Sequence, residues 1–225
     1  MTGATGRLGR LVVPHLAGAE VVEMSRRNAD YGDPQALNRA MRGADKLVFI
    51  SSDGEAARVL LHHQNVIAAA KDAGIAHVIL LSGVDADVDS PFCYAHTNGV
   101  TENLLRESGM DFSIARAALF TEFFMGLVDQ TGGRLPMADA RITLIPRDTV
   151  AQALAALALS PPTGTHRDVT GPLAVTLQDL NGTDVSPAEF ITALAQGGEE
   201  AWWIYAYASM FESIREQRWA SVTPA

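Results

Sequence analysis

Cysteine is almost absent: the 225-residue chain has one, Cys93. A single thiol excludes an internal disulfide and any zinc site built on several cysteines, and it carries no mark of an oxidising compartment. A reducing cytoplasm is the expected location. No His–Cys signature surrounds Cys93, which reads as a structural thiol rather than a nucleophile. Basic residues are also few, with 17 Lys and Arg against 26 Asp and Glu and a net charge of −9. Such a surface repels phosphate backbones, and no Lys/Arg run with interleaved aromatics offsets it, so no nucleic acid partner is expected. No stretch approaches the roughly 20 apolar residues that span a bilayer, and the start of the chain shows no charged-then-apolar signal pattern. Neither membrane insertion nor export is expected. Histidines number six. His62 and His63 are adjacent within a helical stretch and point about 100° apart, so they cannot face one ion, and no metal is expected.

What the chain does have is glycine in one particular pattern. Met1-Thr2-Gly3-Ala4-Thr5-Gly6-Arg7-Leu8-Gly9 places three glycines three apart. In a loop between a strand and a helix, the first permits a tight turn and the second lets a phosphate approach bare backbone. The third lets the following helix pack close. The helix N-terminus adds unpaired N–H groups and a positive dipole end. The apolar spacing of residues 7–16 predicts that helix. Glycine spacing is weak by itself, since glycines also mark ordinary turns; the helix after it points to a dinucleotide's pyrophosphate.

Further along, residues 19–25 form a short β-rich run followed by Arg26 and Arg27, and residues 34–42 read as a helix. Residues 46–50 are a continuous apolar run of the kind found in strands buried on both faces, ending in Ser51-Ser52. A helix is expected over 55–73, stopped by Gly74, and a strand over 77–81, ending in Ser82-Gly83. Residues 97–108 read as a helix, 111–115 as a strand, and 149–159 as a helix that Asp148 caps. Strands alternating with helices predict an α/β fold whose parallel sheet is covered on both sides, with ligands at the strands' carboxyl ends. After Pro161-Pro162 come a short strand at 167–170, a Gly171-Pro172 turn and a mainly helical tail. Two domains are expected, 1–160 for the cofactor and 161–225 as a small lobe. Ser186-Pro187-Ala188-Glu189 has the form of a capping box. The tail carries Trp202, Trp203, Tyr205, Tyr207, Phe211 and Trp219, read first as core, although a planar aromatic substrate would suit them.

The order of several segments resembles the atypical short-chain dehydrogenase/reductases, most of all their NmrA-like branch with its quinone-oxidoreductase-like proteins. They are the glycine loop, Tyr94-Ala95-His96-Thr97-Asn98, the run 101–109, the run 116–124, Arg147-Asp148-Thr149-Val150-Ala151 and Thr170-Gly171-Pro172. The resemblance implies a Rossmann-like doubly wound sheet binding NAD(P)H, with the small C-terminal lobe closing over the substrate. Three departures concern length: a full strand before the glycine loop, a short strand between Arg26-Arg27 and Tyr31-Gly32-Asp33-Pro34, and chain between Leu180 and Asn181 are missing or curtailed. They suggest a shortened or gapped form of a longer chain; a rearranged sheet is the alternative. A fourth concerns chemistry. The wider superfamily pairs a proton-donating tyrosine with a lysine four residues later, and here that position holds Asn98, which cannot lower a tyrosine's pKa as a cation does. Tyr94 and Asn98 are weak candidates for catalysis, and Tyr94 reads first as an ordinary loop tyrosine.

On this resemblance Gly3, Thr5, Gly6, Arg7, Leu8 and Gly9 hold the pyrophosphate, while Ser51, Ser52 and Ser82 line the cofactor's path. Asn98, Ala117 and Phe120 flank the reacting rings. Ser25, Arg26 and Arg27 suit a 2′-phosphate, where a carboxylate would take the free ribose hydroxyls, so NADPH is favoured over NADH. The expected activity is NADPH-dependent reduction of a quinone or related planar aromatic, some of them polyketide-derived. A non-catalytic NAD(P) sensor of the NmrA type is the alternative, and an epimerase a weaker third, lacking its tyrosine–lysine pair. A homodimer is left open.

Overall fold

The computed structural model describes residues 1–52 and 54–222. In chain order the elements are α1 (Gly9–His15), α2 (Pro34–Met41), β1 (Lys46–Phe49), α3 (Ala56–Ala73), β2 (His77–Gly83), α4 (Cys93–Glu107) and β3 (Asp111–Ala117). There follow β4 (Leu119–Phe120), α5 (Thr121–Thr131), β5 (Arg134–Leu135), β6 (Arg141–Ile145), α6 (Arg147–Leu159) and β7 (His166–Val169). The last are β8 (Ala174–Thr176), β9 (Thr183–Asp184), α7 (Pro187–Gln196) and α8 (Ala201–Arg215).

β1, β2, β3 and β7 make one parallel sheet in that order. Side chains alternate across it, and both faces are covered, which explains why the strands read as unbroken apolar runs. Val48, Ile79 and Ala115 face a core shared with α1 and α6, including Val12, Val150 and Leu154. Phe49, Leu80 and Ile114 face the opposite core, with Leu37, Met41, Val66 and Leu105 from α2, α3 and α4. This is the Rossmann-like α/β architecture expected. Local signals set its boundaries. Asp33 caps α2 by accepting from the N–H groups of Gln35 and Ala36. Gly74 closes α3 in the left-handed conformation at φ 79°.

The β-rich run 19–25 forms no strand. Residues 1–4 lie between it and β1 and give it few partners: the Met24 N–H donates to Met1 O at 2.9 Å and the Ala4 N–H to Met24 O at 3.1 Å. On the other side the Thr2 N–H donates to Val48 O at 3.0 Å, and the Ile50 N–H to Thr2 Oγ1 at 2.9 Å. Thus a short segment supplies, at the sheet's carboxyl end, the ladder partners that a longer strand would supply along its whole edge. Asp148 is not the cap of α6. Pro146 holds that position without a side-chain bond, and the Asp148 carboxylate meets His15 Nε2 at 3.4 Å and Gln152 Nε2 at 2.8 Å instead.

The chain beyond residue 160 first returns to the main sheet, where β7 lies parallel to β3. A division at 160/161 therefore leaves one sheet strand on its far side. The second layer is built around β4, β6 and β8, with a β5–β9 pair beside them. Its core joins Phe124 of α5, Leu135, Met137 and Ile142 to Phe190 of α7 and Phe211 of α8. The capping box of α7 is formed: the Glu189 N–H donates to Ser186 Oγ and the Ser186 N–H to the Glu189 carboxylate, at 3.2 and 2.9 Å. The tail is tied to the main domain through Asp85, which accepts from Ser90 and Ser213 hydroxyls and from Arg218.

Candidate active site

Gly3 turns with φ 62°, a conformation that costs a side chain dearly but glycine nothing, and a Cβ there would touch Ile50 at 3.4 Å. The Gly6 N–H donates to Gly3 O at 2.9 Å, closing the loop. A Cβ on Gly6 would lie 3.1 Å from that oxygen, and one on Gly9 only 2.1 Å from it and 2.8 Å from Ala4 Cα. Helix α1 thus starts in van der Waals contact with the turn before it, and only glycine permits the approach. Leu8 is buried and makes no capping bond, while Thr5 and Arg7 are exposed beside the loop.

The carboxyl ends of β1, β2 and β3 lie along the same edge. Gly83 is opposite Ala117 in register, and a Cβ on Gly83 would come within 3.2 Å of Asn98 Nδ2. Asn98, Gly83 and Ala117 therefore converge, while Phe120 lies just beyond, under the Arg147 guanidinium at 5.2 Å. Ser51 and Ser52 are half-buried after β1. Ser82 stands apart from the other expected residues: it is buried, and its hydroxyl donates to Glu102 Oε1 at 2.6 Å rather than toward the cleft. Ser25, Arg26 and Arg27 are presented by a turn that Asn28 builds, accepting from the Ser25 N–H at 2.7 Å and donating to Glu23 O at 2.9 Å.

Tyr94 is not a loop residue. Helix α4 begins at Cys93, four residues before the expected start, so Tyr94 is in its first turn and Asn98 one turn on. The Tyr94 hydroxyl donates to Gly54 O at 2.5 Å. Its ring meets Trp203 edge-on at 6.5 Å, and Trp203 stacks between Trp202 and Tyr207 at 4.2 and 5.4 Å. The aromatic tail thus divides: Phe211 and Trp219 are core, while Trp202, Trp203 and Tyr207 are half-buried and Tyr205 is 60% exposed. A cleft of about 410 Å³ opens here, bounded by Glu55, Ala56, Cys93, Tyr94, Trp202 and Tyr205. A second cavity of similar volume lies between α5 and α7 and touches none of the expected site residues. Burial pushes the Cys93 thiol and the Tyr207 hydroxyl upward, so neither is poised to ionise.

Two features escaped the sequence reading. Glu102, fully buried, accepts Arg116 Nε and Nη2 at 2.8 and 2.7 Å, Arg106 at 2.7 Å and Ser82 at 2.6 Å. Burial alone would push its carboxyl up, but the bonds from Arg116, Ser82 and Arg106 outweigh this and hold it below the usual carboxylate range. Its signal was present, since Glu102 shares a helix face with the buried Ala95 and Leu105. The other is the bonding of the inward-facing member of the histidine pair. His63 points inward, with Nδ1 2.7 Å from Thr101 Oγ1, whose hydroxyl donates onward to Thr97 O, so Nδ1 carries the proton. Burial and the neighbouring His62 lower its pKa to about 4. Among the described residues no group of three or more His, Cys, Asp or Glu side chains could hold a metal ion, and no helix is long and apolar enough to cross a membrane.

A model of the NAD(P)H-binding family matches residues 20–161. The chain belongs to this NAD(P)H-binding family, in agreement with the expected resemblance to atypical, NmrA-like dehydrogenase/reductases. It is 34% identical over 144 residues to quinone oxidoreductase 2 of Escherichia coli, spanning 56% of this chain and 50% of that one. It is 34% identical over 105 residues to an NmrA-like family domain-containing oxidoreductase of Aspergillus flavus, spanning 44% and 34%. The chain therefore aligns with half or less of these relatives' lengths. The crystal structure of the E. coli NADPH-dependent quinone oxidoreductase in complex with NADPH superposes with a TM-score of 0.87 at 26% identity, covering 98% of this chain and 90% of that one.

Proposed function

We propose that the protein is an NADPH-dependent reductase that transfers hydride to a quinone or related planar aromatic acceptor. The observation that carries this reading is the cleft beside Tyr94, walled by Trp202 and Tyr205, one helical turn from the meeting point of Asn98, Gly83 and Ala117. The pyrophosphate is assigned to the loop of Gly3, Thr5, Gly6, Arg7, Leu8 and Gly9, where Thr5, Gly6 and Arg7 are exposed just before α1 begins. Ser51 and Ser52 line the adenosine side, and Asn98, Ala117 and Phe120 the nicotinamide side. NADPH, when bound, supplies the hydride. The chain's own task is to bring a flat acceptor against it and to keep bulk water out, with α8, which walls the cleft, as the cover.

No strong acid is needed for this chemistry. A quinone that takes up hydride becomes a hydroquinone anion whose charge is delocalised over the ring, and water delivers the remaining proton. That agrees with asparagine at position 98 and with a Tyr94 hydroxyl already committed to Gly54 O. Tyr94→Phe is accordingly expected to keep kcat within about threefold, whereas a general acid would cost about a hundredfold or more. Steady-state rates with a naphthoquinone decide between the two.

The functional test is anaerobic mixing of protein, NADPH and a panel of benzo-, naphtho- and anthraquinones while nicotinamide fluorescence is followed. Decay above the protein-free rate supports the reductase. A stable fluorescence rise with every quinone favours the second reading, an NAD(P) sensor, which the same Asn98 and occupied Tyr94 hydroxyl permit. Arg26→Ala combined with Arg27→Ala is expected to weaken NADPH about tenfold and NADH less than twofold, since the guanidinium groups would serve the 2′-phosphate alone. Equal losses in fluorescence titrations would remove that assignment.

A further inference from the structure

His62 stands on α3 across from the turn that presents Ser25, Arg26 and Arg27. Its Nδ1 lies 3.2 Å from Ser52 Oγ, and its ring packs edge-on to Tyr31 at 6.0 Å. Tyr31 is fixed at both ends: its hydroxyl donates to Ile50 O at 2.7 Å, and the Asn65 side-chain amide donates to its carbonyl at 2.9 Å. The other nitrogen, Nε2, faces the rim at Gly32, 3.9 Å from where a Cβ would sit, and has no hydrogen-bond partner among the described residues. The charged groups that reach this imidazole are Asp30 and Arg26 from the turn segment and Arg58 from α3; the adjacent His63, its pKa lowered to about 4, is neutral. Asp30 is partly satisfied already, accepting the Gly32 N–H at 2.7 Å. His62 thus lies within electrostatic reach of two guanidinium groups, Arg26 and Arg58, and has an open nitrogen among the described residues.

We infer that His62 reads the 2′-phosphate of NADPH, its Nε2–H donating to the phosphate from the α3 side while Arg26 holds it from the turn side. The inference rests on the proposed placement of the 2′-phosphate at the Ser25–Arg27 turn. A phosphate of nearly two negative charges with three acceptor oxygens is held best by several charge-assisted donors at different angles, which one flexible arginine cannot supply. In the free protein, burial first and then Arg58 and Arg26 keep His62 below its ordinary pKa, against the opposing pull of Asp30. The imidazole is therefore neutral at pH 7, and an arriving phosphate raises its pKa and draws a proton onto it. A group whose pKa rises on binding adds affinity at pH below its bound-state pKa, and that addition fades as pH climbs through it. His62 thus makes the preference for NADPH over NADH stronger in acid. Protonation of the phosphate itself, near pH 6, works in the opposite direction, so comparison with a His62 variant isolates the effect.

The test is calorimetry of NADPH and NADH binding, from pH 6 to 8.5 and in two buffers of different ionisation enthalpy. The proteins are the native chain, His62→Asn, which keeps a group near Ser52 but loses the Nε2 reach, and His62→Gln, which keeps the reach without the charge. The native protein should take up protons on binding NADPH and none on binding NADH. Both variants should lose that uptake, weaken NADPH about five- to tenfold at pH 6 and less than twofold at pH 8.5, and leave NADH nearly unchanged. Equal losses for both cofactors would overturn the inference in favour of a contact with the rest of the adenosine or a packing role, and no loss at pH 6 would overturn it outright. If Arg26→Ala with Arg27→Ala discriminates the cofactors and the His62 variants do not, His62 alone is wrongly assigned. If neither set discriminates, the 2′-phosphate lies elsewhere and both assignments fall.

Discussion

Gly9→Ala is expected to lower NADPH affinity about a hundredfold and to destabilise the protein by about 2 kcal/mol or more. The new methyl carbon would stand 2.1 Å from Gly3 O and 2.8 Å from Ala4 Cα, and both obstacles are backbone that cannot rotate aside. Either α1 shifts away from the turn or the turn opens, and each displaces the N–H groups that would face the pyrophosphate. Gly6→Ala separates these consequences. Its methyl would lie 3.1 Å from the same oxygen, a contact relieved by a small shift, but on the position where phosphate needs bare backbone. It should lose affinity with little loss of stability, whereas Gly9→Ala loses both. Fluorescence titration with NADPH and thermal melts of the two variants, side by side, check the pair.

The largest effect on stability is expected at Glu102. Its carboxylate is fully buried and holds Arg116, Arg106 and Ser82 together, joining α4 to the carboxyl ends of β2 and β3. Glu102→Leu leaves the Arg116 guanidinium, only 19% exposed, without its carboxylate. Removing one partner of such a pair costs about 3 to 5 kcal/mol, which for a chain of this size lowers Tm by about 10 °C. The sign of the pH dependence follows from the depressed folded-state pKa of Glu102. The ion-pair contribution is fully present above the unfolded value of 4.5 and is lost as pH falls through the lower folded value. The gap in Tm between the native protein and Glu102→Gln should therefore be constant from pH 7 to about 5 and shrink below 4.5. A gap that stays constant down to pH 3 would show that the glutamate is buried for packing alone.

Both effects arise in elements whose legibility in the sequence differed. The glycine loop was readable because each glycine answers a backbone requirement that no other residue meets, and the buried strands because a run such as Leu47-Val48-Phe49 suits a strand covered on both faces. The capping box at Ser186 was readable for the same local reason. What failed depended on partners distant in sequence. The run 19–25 has β propensity but only residues 1–4 beside it, so it bonds at a few points and forms no strand. The start of α4 was set too late because Phe92 and Cys93 offer no capping side chain; the helix is fixed there by packing against Trp219 and by the Cys93 N–H donating to Ser209 Oγ. Ser82 looked like a cofactor residue from its place after a strand, and only the buried Glu102 twenty residues on reveals where its hydroxyl goes. His62 was legible only as one of two adjacent helix histidines, since the Arg26 and Asp30 charges that act on it come from a segment well before it in the chain.

The central claim is that this fold brings a nicotinamide and a flat acceptor together for hydride transfer. It is tested most directly by single-turnover oxidation of NADPH deuterated at one or the other face of nicotinamide C4, with a naphthoquinone as acceptor. The account predicts that deuterium slows the reaction when placed at one face, is transferred from that face, and has no effect at the other, because a bound nicotinamide presents a single face to the cleft. Tight binding of both isotopomers with oxidation of neither would contradict it and leave a protein that holds the cofactor without using it.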